Sequence, residues 1–241
     1  MMTQFFRPFL DLLFPPSCLS CGLSLPSSRV PLFCQDCFSR LRFISSPLCP
    51  CCGRLFQNGA GGDHFCGPCL TQKRHFRAAR ALLLYEDPIK PLIQQLKYHK
   101  KTFCLPSLAA LMASSPNAFA NEDVELILPV PLHKKKLRQR GFNQAQLLAE
   151  SFFPRDLRLK ADILFRIKET TAQTGLSGDE RRRNMGNAFA VPAPEAVRGK
   201  RILLIDDVFT TGTTVNECAK TLLKAGASDI LVLTLARVTE G

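Results

Sequence analysis

The sequence predicts an α/β protein in which a Rossmann-like domain with a mainly parallel sheet follows a small cysteine-rich module. From residue 79 onward, apolar runs of strand length alternate with helical patterns, which favours a parallel sheet covered by helices. Before that point, nine of the eleven cysteines fall within residues 18–69, a stretch with little helical period. A polar link begins near Lys73, so the expected division is residues 1–72 and residues 73–241.

The elements of the second domain are inferred from the period of its apolar residues. Strands are expected at residues 79–85, 125–131, 162–167, 200–205 and 229–236, and helices at residues 87–98, 143–153 and 213–225. The run at 200–205 is almost entirely apolar, as in a strand buried on both faces of a sheet. Gly226 fits the C-terminal cap of the last helix. A short amphipathic helix is also expected at residues 5–14, ending at Pro15 and Pro16.

The net charge is high for a chain of this size. The sequence has 32 basic and 20 acidic residues, which gives +12, and an excess of ten basic residues lies in residues 70–241. A field of that sign attracts polyanions, either phosphorylated small molecules or nucleic acid. A solvated basic surface without a ligand is the alternative.

The apolar opening of the chain does not have the pattern of an export signal. Arg7, Pro8 and Asp11 interrupt it, and it is too short to span a bilayer. We therefore expect no membrane span, a cytoplasmic protein and reduced thiols.

Eight of the cysteines form four C-x-x-C pairs, which is the spacing of zinc knuckles. Eight thiolates make two zinc sites of four cysteines each, paired either consecutively or in a cross-braced order. Redox-active dithiols and an iron–sulfur cluster are alternatives, but the former come singly and the latter favour less even spacing. Cys51 is left free, and Cys104 and Cys218 are assigned to the core. The expected ligands of the two structural zinc ions are Cys18, Cys21, Cys34, Cys37, Cys49, Cys52, Cys66 and Cys69.

The segment 202–214, ILLIDDVFTTGTT, has the features of a site for a phosphorylated ribose. A buried strand delivers Asp206 and Asp207 to its carboxyl end, where carboxylates can accept hydrogen bonds from ribose hydroxyls. Gly212 allows the backbone to approach an anion closely, and the start of the next helix favours a phosphate. Hydroxyl donors are expected from Thr210, Thr211, Thr213 and Thr214. A capped helix start without a ligand is the alternative.

A second anion site is predicted where the strand at 125–131 meets a strongly basic segment. Five of the eight residues in 133–140 are Lys or Arg, and we expect a loop there. Arg138, Arg140 and Gly141 fit a clamp for pyrophosphate, since guanidinium groups bind phosphate oxygens in pairs and glycine permits close approach. The lysines are assigned to long-range attraction. A solvated run of charge is the alternative.

The string at 202–214 resembles the signature with which type I phosphoribosyltransferases bind 5-phosphoribosyl 1-pyrophosphate (PRPP). The chain from residue 12 to its end resembles the ComF family of competence-associated phosphoribosyltransferase-like proteins. The motifs that carry this resemblance lie at residues 12–22, 49–53, 92–101, 128–145, 173–184 and 205–214. Cys51 departs from the family pattern.

This resemblance implies a double zinc ribbon followed by a type I phosphoribosyltransferase domain that binds PRPP with Mg²⁺. It also implies a part in DNA uptake during natural transformation, with single-stranded DNA and DNA-uptake proteins such as a helicase as partners. In type I phosphoribosyltransferases a mobile hood covers the reaction centre, and residues 168–187 occupy its place. Gln173 and Arg181–Arg183 could face the ligand there, although a plain exposed loop is an equal alternative.

Two functions remain open at this point. The first is an enzyme in which a nitrogen nucleophile displaces pyrophosphate from PRPP, with Asp206 and Asp207 as the catalytic pair and charge stabilisation as the main effect. The second is a non-catalytic accessory protein that binds single-stranded DNA and keeps a vestigial or sensory PRPP pocket. For the second, Phe76, Tyr98 and Phe142 are candidates to stack on unpaired bases.

Overall fold

A computed structural model describes residues 15–27, 30–56, 61–99, 102–114, 119, 123–169 and 187–239. The cysteine-rich module contains two short helices, α1 (Gln35–Ser39) and α2 (Gly67–Thr71). The remaining elements are, in chain order, β1 (Ala78–Leu84), α3 (Ile89–His99), a 3-10 turn (Thr102–Cys104), α4 (Leu105–Ala113), β2 (Leu126–Pro129), α5 (Lys134–Arg140), α6 (Gln144–Phe152), β3 (Phe165–Arg166), β4 (Phe189–Ala190), a 3-10 turn (Pro194–Ala196), β5 (Arg201–Phe209), α7 (Thr213–Lys224) and β6 (Asp229–Arg237).

The central sheet has four parallel strands in the order β1-β6-β5-β2. β5 and β6 are the inner strands, and their apolar runs are buried almost throughout, because helices and the cysteine module cover both faces. Leu159 adds one parallel bridge to Ile127 at the β2 edge. The predicted α/β class with a mainly parallel sheet is confirmed.

The strand predicted at residues 162–167 is wrong in extent. Only Phe165–Arg166 is extended, and it pairs antiparallel with Phe189–Ala190 in a separate two-stranded sheet. The prediction treated these apolar residues as buried, but Phe165 and Ile167 are 40% and 57% exposed and do not pack in the core.

The basic segment after β2 is also different from the prediction, since it is the helix α5 and not a loop. Lys and Arg have good helix propensity. The His133 side chain accepts a hydrogen bond from the amide of Lys135, which caps the start of the helix. Gly141 ends it in the left-handed region with φ of 83°, and its amide donates to the Leu137 carbonyl.

The cysteine-rich module packs directly on the sheet. Residues 42–44 pair antiparallel with β1, with hydrogen bonds from the Ile44 amide to the Leu82 carbonyl (3.0 Å) and from the Leu84 amide to the Arg42 carbonyl (2.9 Å). The Ala79 amide donates to the Cys51 carbonyl at 2.6 Å. The module and the α/β domain therefore share buried cores.

Two expectations fall outside the described part of the chain: the helix at 5–14, and nearly all of the hood segment with Gln173 and Arg181–Arg183. Among the helices that the structure describes, none is both long enough and apolar enough to span a bilayer.

Candidate functional site

A cleft of about 300 Å³ opens at the carboxyl edge of the central sheet. It brings together the two segments that sequence analysis assigned to one ligand, because β2 and β5 are adjacent parallel strands whose carboxyl ends meet. Its lining residues are Tyr85, Lys97, Val130, Pro131, Leu132, Lys136, Arg140, Asn143, Gln144, Arg166, Asp206, Asp207, Val208, Thr210 and Thr214.

The acid pair lies at the floor of this cleft. β5 continues through both aspartates to Phe209, so the strand itself fixes their positions. The Asp207 amide donates to Asp206 Oδ1 at 2.9 Å. Burial, and next the charge of Asp207, raise the pKa of Asp206 to about 7, although part of its side chain is open to the cleft. Asp206 therefore changes charge close to neutral pH.

Lys97 is a cation that sequence analysis did not assign to the site. Its Nζ lies 2.9 Å from Asp207 Oδ2 in an ion pair whose side chains are 20% and 6% exposed. Burial lowers the pKa of Lys97, but the charge of Asp207, the hydrogen bond to it and the charge of Asp206 together outweigh this effect, and the net shift is upward. The sequence carried one signal for Lys97, because it lies four residues after Ile93 in the helix predicted at 87–98, so both side chains share one helical face.

The hydroxyl-rich loop is held in a tight turn by Gly212. This residue has φ of 73°, and a Cβ there would lie 2.5 Å from Cζ of Phe209. Thr211 and Thr213 bond to each other through their hydroxyl groups at 2.8 Å, while Thr210 and Thr214 line the cleft. The N-cap residue Gly212 has no side chain, and the Thr213 amide donates to Thr211 Oγ1 at 3.4 Å. The next amides of this twelve-residue helix, at Thr214 and Val215, are therefore the ones that can donate to a ligand.

A basic wall faces the acid pair. Lys136 and Arg140 are one helical turn apart on α5 and both line the cleft, and Arg166 joins them from β3. Burial, followed by the charges of Arg166 and Arg140, lowers the pKa of Lys136. Burial also lowers the pKa of Arg166, whose guanidinium lies 5.6 Å from the centre of the Phe189 ring. These three cations repel one another, and an anionic ligand bound between them would reduce that repulsion.

Some predicted residues do not reach the cleft. Arg138 is exposed and points away from it, because it lies half a turn from Lys136 and Arg140 on the same helix. Gly141 serves as the helix cap. Lys136 and Arg166 were not predicted as site residues. Which lysine of residues 134–136 faces the cleft depends on the helical phase of a segment that was expected to be a loop. Arg166 reaches the cleft from the short strand β3, whose position depends on tertiary packing.

One aromatic residue proposed for base stacking is unavailable. Phe76 is only 4% exposed and makes an edge contact with Phe209, with ring centres 6.2 Å apart. Phe142 is half-buried, and the side chain of Tyr98 lies outside the described part of the structure.

The cysteines form two clusters by consecutive pairing, which excludes the cross-braced order. One cluster contains Cys18, Cys21, Cys34 and Cys37, and the other contains Cys49, Cys52, Cys66 and Cys69. Within each cluster all the sulfur atoms lie within 4.8 Å of one another.

These clusters have the dimensions of zinc sites. Tetrahedral zinc–thiolate bonds place two sulfur atoms about 3.8 Å apart. The Sγ atoms of Cys21 and Cys34 are 3.7 Å apart, and those of Cys52 and Cys66 are 3.6 Å apart. The Cys52 and Cys66 amides both donate to Cys49 Sγ at 3.5 Å, as expected of knuckles that hold thiolates. The two four-cysteine clusters therefore fit structural zinc, and Cys51 belongs to neither of them.

The protein is of the phosphoribosyltransferase type with a double zinc ribbon. This class is defined by the parallel sheet with its acid pair and hydroxyl-rich loop, together with the two four-cysteine clusters. Residues 9–70 match the double zinc ribbon domain family, and residues 139–241 match the phosphoribosyl transferase domain family. The chain is 33% identical over 226 residues to "Competence protein F" of Haemophilus influenzae, covering 91% of this chain and 96% of that protein. The chain belongs to the ComF family.

Other relatives also match the chain over most of its length. The chain is 33% identical over 230 residues to "DNA utilization protein YhgH" of Escherichia coli, covering 92% of this chain and 97% of that protein. It is 27% identical over 216 residues to "Competence protein ComFC" of Bacillus subtilis, covering 85% of this chain and 83% of that protein. The resemblance inferred from the motifs is confirmed over nearly the whole chain.

Proposed function

We propose that the cleft binds PRPP together with Mg²⁺. The observation that carries this proposal is that Asp206 and Thr210 share one cavity with Arg140, so that acceptors for ribose hydroxyls and donors for phosphates converge. Mg²⁺ prefers oxygen ligands and keeps several waters, which suits a carboxylate pair beside a pyrophosphate.

Each part of PRPP has a complementary group in the cleft. Asp206 and Asp207 accept hydrogen bonds from the ribose hydroxyls, and the loop Thr210–Thr214 with the first amides of α7 holds the 5′-phosphate. Arg140 holds the pyrophosphate, and Lys136 and Arg166 add their charges. Arg138, on the exposed side of α5, contributes long-range attraction.

Titration calorimetry of Mg²⁺–PRPP tests this proposal. The wild-type protein is expected to bind, and the double variant Asp206→Asn plus Asp207→Asn is expected to lose detectable binding because amides replace both charged acceptors. A matched control, Asp162→Asn plus Glu195→Gln, removes two exposed carboxylates that do not line the cleft. Equal affinity in the cleft variant and the control would refute the assignment.

Transfer of the phosphoribosyl group requires a second test, because a pocket can bind PRPP without turnover. The cleft offers positioning and charge stabilisation, which are the main catalytic effects available to this displacement. A pyrophosphate-release assay with a panel of bases, with and without single-stranded DNA, separates an enzyme from a sensor. Release that depends on one base identifies the acceptor, and no release with any base supports the accessory role.

We also propose that the protein handles single-stranded DNA during DNA uptake, which is in keeping with relatives that are named for competence and for DNA utilization. A second groove of about 550 Å³ supports this role. It runs between the link after the cysteine module and the end of α7, and its lining includes five cations against a single acid. These charged residues are Lys73, Arg74, Arg77, Lys220, Lys224 and Asp229.

The charge of this groove is only partly neutralised. Arg77 Nε pairs with Asp229 at 2.7 Å, and Lys220 lies 3.7 Å from Glu217. Burial lowers the pKa of His75, which lies between these cations and stays neutral. Because Phe76 is buried, the groove suits the phosphate backbone of a strand rather than stacked bases.

Salt-dependent binding of a labelled single strand tests the groove. Replacing Lys220 and Lys224 by Gln is expected to reduce the slope of log K against log salt by about 1.4, if each lysine neutralises one phosphate. The control, Lys90→Gln plus Lys160→Gln, has the same change in net charge at exposed lysines outside the groove. An equal decrease in both variants would show that only net charge matters.

A further inference from the structure

We propose that the second cysteine cluster holds the phosphate-binding loop in shape through Arg237, which makes Arg237 a positioning residue of the PRPP site. This inference rests on the proposed binding of PRPP. It concerns three consecutive contacts, from Cys52 to Arg237, from Arg237 to Phe209, and from Phe209 to Gly212.

Arg237 is an unusual residue because it is charged and only 4% exposed. Its Nη1 donates to the Cys52 carbonyl at 2.5 Å, and its Nη2 lies 3.8 Å from Cys52 Sγ. Among the residues that the structure describes, no carboxylate lies within ion-pairing distance of this guanidinium. Its fixed partners are therefore a cluster cysteine and an aromatic ring.

The cluster supplies the charge that Arg237 otherwise lacks. Four thiolates and one Zn²⁺ carry a net charge of about −2 when the site is filled. Buried cations need such a counter-charge. Arg80, with Nη1 donating to the Pro50 carbonyl at 2.9 Å, approaches the same knuckle from β1. Two arginines of the sheet thus contact this knuckle.

Arg237 is joined to the loop through Phe209. Its guanidinium carbon lies 4.8 Å from the centre of the Phe209 ring, within the range of a cation–π contact. The two residues are partners in the β5–β6 register, and the Val238 amide donates to the Phe209 carbonyl at 3.0 Å. Phe209 is 3% exposed, so its ring has little freedom to move.

The ring of Phe209 in turn supports the turn at Gly212. A Cβ on Gly212 would lie 2.5 Å from Cζ of Phe209, so the loop backbone packs directly against that end of the ring. Movement of the ring would displace the amides at the start of α7. A displacement of about 1 Å takes such an amide out of hydrogen-bonding distance of a phosphate oxygen.

The first cluster provides an internal comparison. Its buried cysteines Cys18 and Cys37 pack in a core with Leu82 and Leu83, and the neighbouring Leu32 amide donates to Ser107 Oγ at 3.0 Å. The described contacts of its cysteines do not include the loop at 210–214. Loss of metal from the first cluster should therefore leave the loop unchanged.

The experiment compares the two clusters in the full chain. Cys69→Ser and Cys21→Ser should each lower the zinc content from two ions to one, as counted by native mass spectrometry. Titration with Mg²⁺–PRPP is expected to show an affinity at least ~10-fold lower for Cys69→Ser, and within ~2-fold of wild type for Cys21→Ser.

Variants of Arg237 separate positioning from general stability. Arg237→Met keeps both zinc ions and is expected to lose affinity as Cys69→Ser does, whereas Arg237→Lys regains part of it because an ammonium can still donate to Cys52 and lie over the ring. An Arg237→Met protein that retains two zinc ions and binds PRPP as wild type does would overturn the proposal.

Hydrogen exchange gives a result that does not depend on PRPP. Without ligand, amides of residues 210–216 should exchange ~10-fold faster in Arg237→Met than in wild type, while those of β2 stay unchanged. If wild type binds no PRPP, the proposed function fails but this comparison still decides the coupling. Equal exchange in the loop would show that Arg237 does not support it.

Discussion

The ammonium group of Lys97 lies 2.9 Å from the carboxylate of Asp207 at the floor of the cleft. The pair joins α3 to the end of β5, so an element far away in the sequence sets the electrostatics of the acid pair. Because the Asp207 side chain is only 6% exposed, Lys97 supplies the counter-charge that a buried carboxylate needs.

Removing Lys97 should therefore destabilise the protein. Lys97→Met leaves a buried carboxylate without its cation, and the free energy of unfolding is expected to fall by about 3 kcal/mol. Chemical denaturation measures this change. Lys97→Met combined with Asp207→Asn should lose less than the sum of the two single variants, and a strictly additive result would contradict the coupling.

Asp206 should make stability depend on pH. Its pKa is raised in the folded protein by burial and by Asp207, so charging it costs stability above about pH 4, and the full cost is present above about pH 7. Asp206→Asn removes this cost, and the variant is expected to be about 1–2 kcal/mol more stable than wild type at pH 8 and equal to it at pH 4.

Thermal unfolding at the two pH values checks this expectation. Asp162→Asn changes an exposed carboxylate and serves as the control. A variant less stable than wild type at pH 8 would mean that Asp206 is stabilised as an anion.

The two arginines of α5 should differ in their effect on pyrophosphate. Arg140 lines the cleft, whereas Arg138 is exposed on the other side of the helix. Arg140→Met is expected to weaken binding of Mg²⁺–pyrophosphate ~10-fold, and Arg138→Met by less than ~2-fold. Titration calorimetry of both variants measures this, and the reverse order would place the pyrophosphate outside the cleft.

Gly212 should tolerate no side chain. Gly212→Ala combines a left-handed backbone, which costs about 1 kcal/mol for alanine, with a Cβ 2.5 Å from the Phe209 ring. We expect a loss of unfolding free energy of about 2–3 kcal/mol and weaker PRPP binding.

Gly199→Ala is a matched control for this change. Gly199 has φ of 71°, but a Cβ there would meet nothing within 4 Å, so it isolates the backbone cost. Equal stability losses in the two variants, measured by denaturation, would show that the Phe209 ring gives way freely.

Sequence analysis predicted best where the chemistry is contiguous in the chain. Asp206, Gly212 and Thr214 lie within one strand–loop–helix unit, so their proximity follows from local structure. The apolar runs of β5 and β6 likewise indicated buried inner strands.

The remaining features depend on tertiary structure. Lys97 and Arg166 come from elements whose position relative to β5 is set by packing. The same is true of Arg237, whose contact with Cys52 spans 185 positions. The pairing of the four knuckles follows from which turns lie side by side, and the spacing of the cysteines alone allows more than one solution.

A crystal structure of the protein with Mg²⁺ and PRPP tests the central claim most directly. The 5′-phosphate is expected at the start of α7 beside Thr210 and Thr214, the ribose hydroxyls on Asp206 and Asp207, and the pyrophosphate against Arg140. Density for PRPP outside this cleft, or an empty cleft in crystals grown at saturating PRPP, would contradict it.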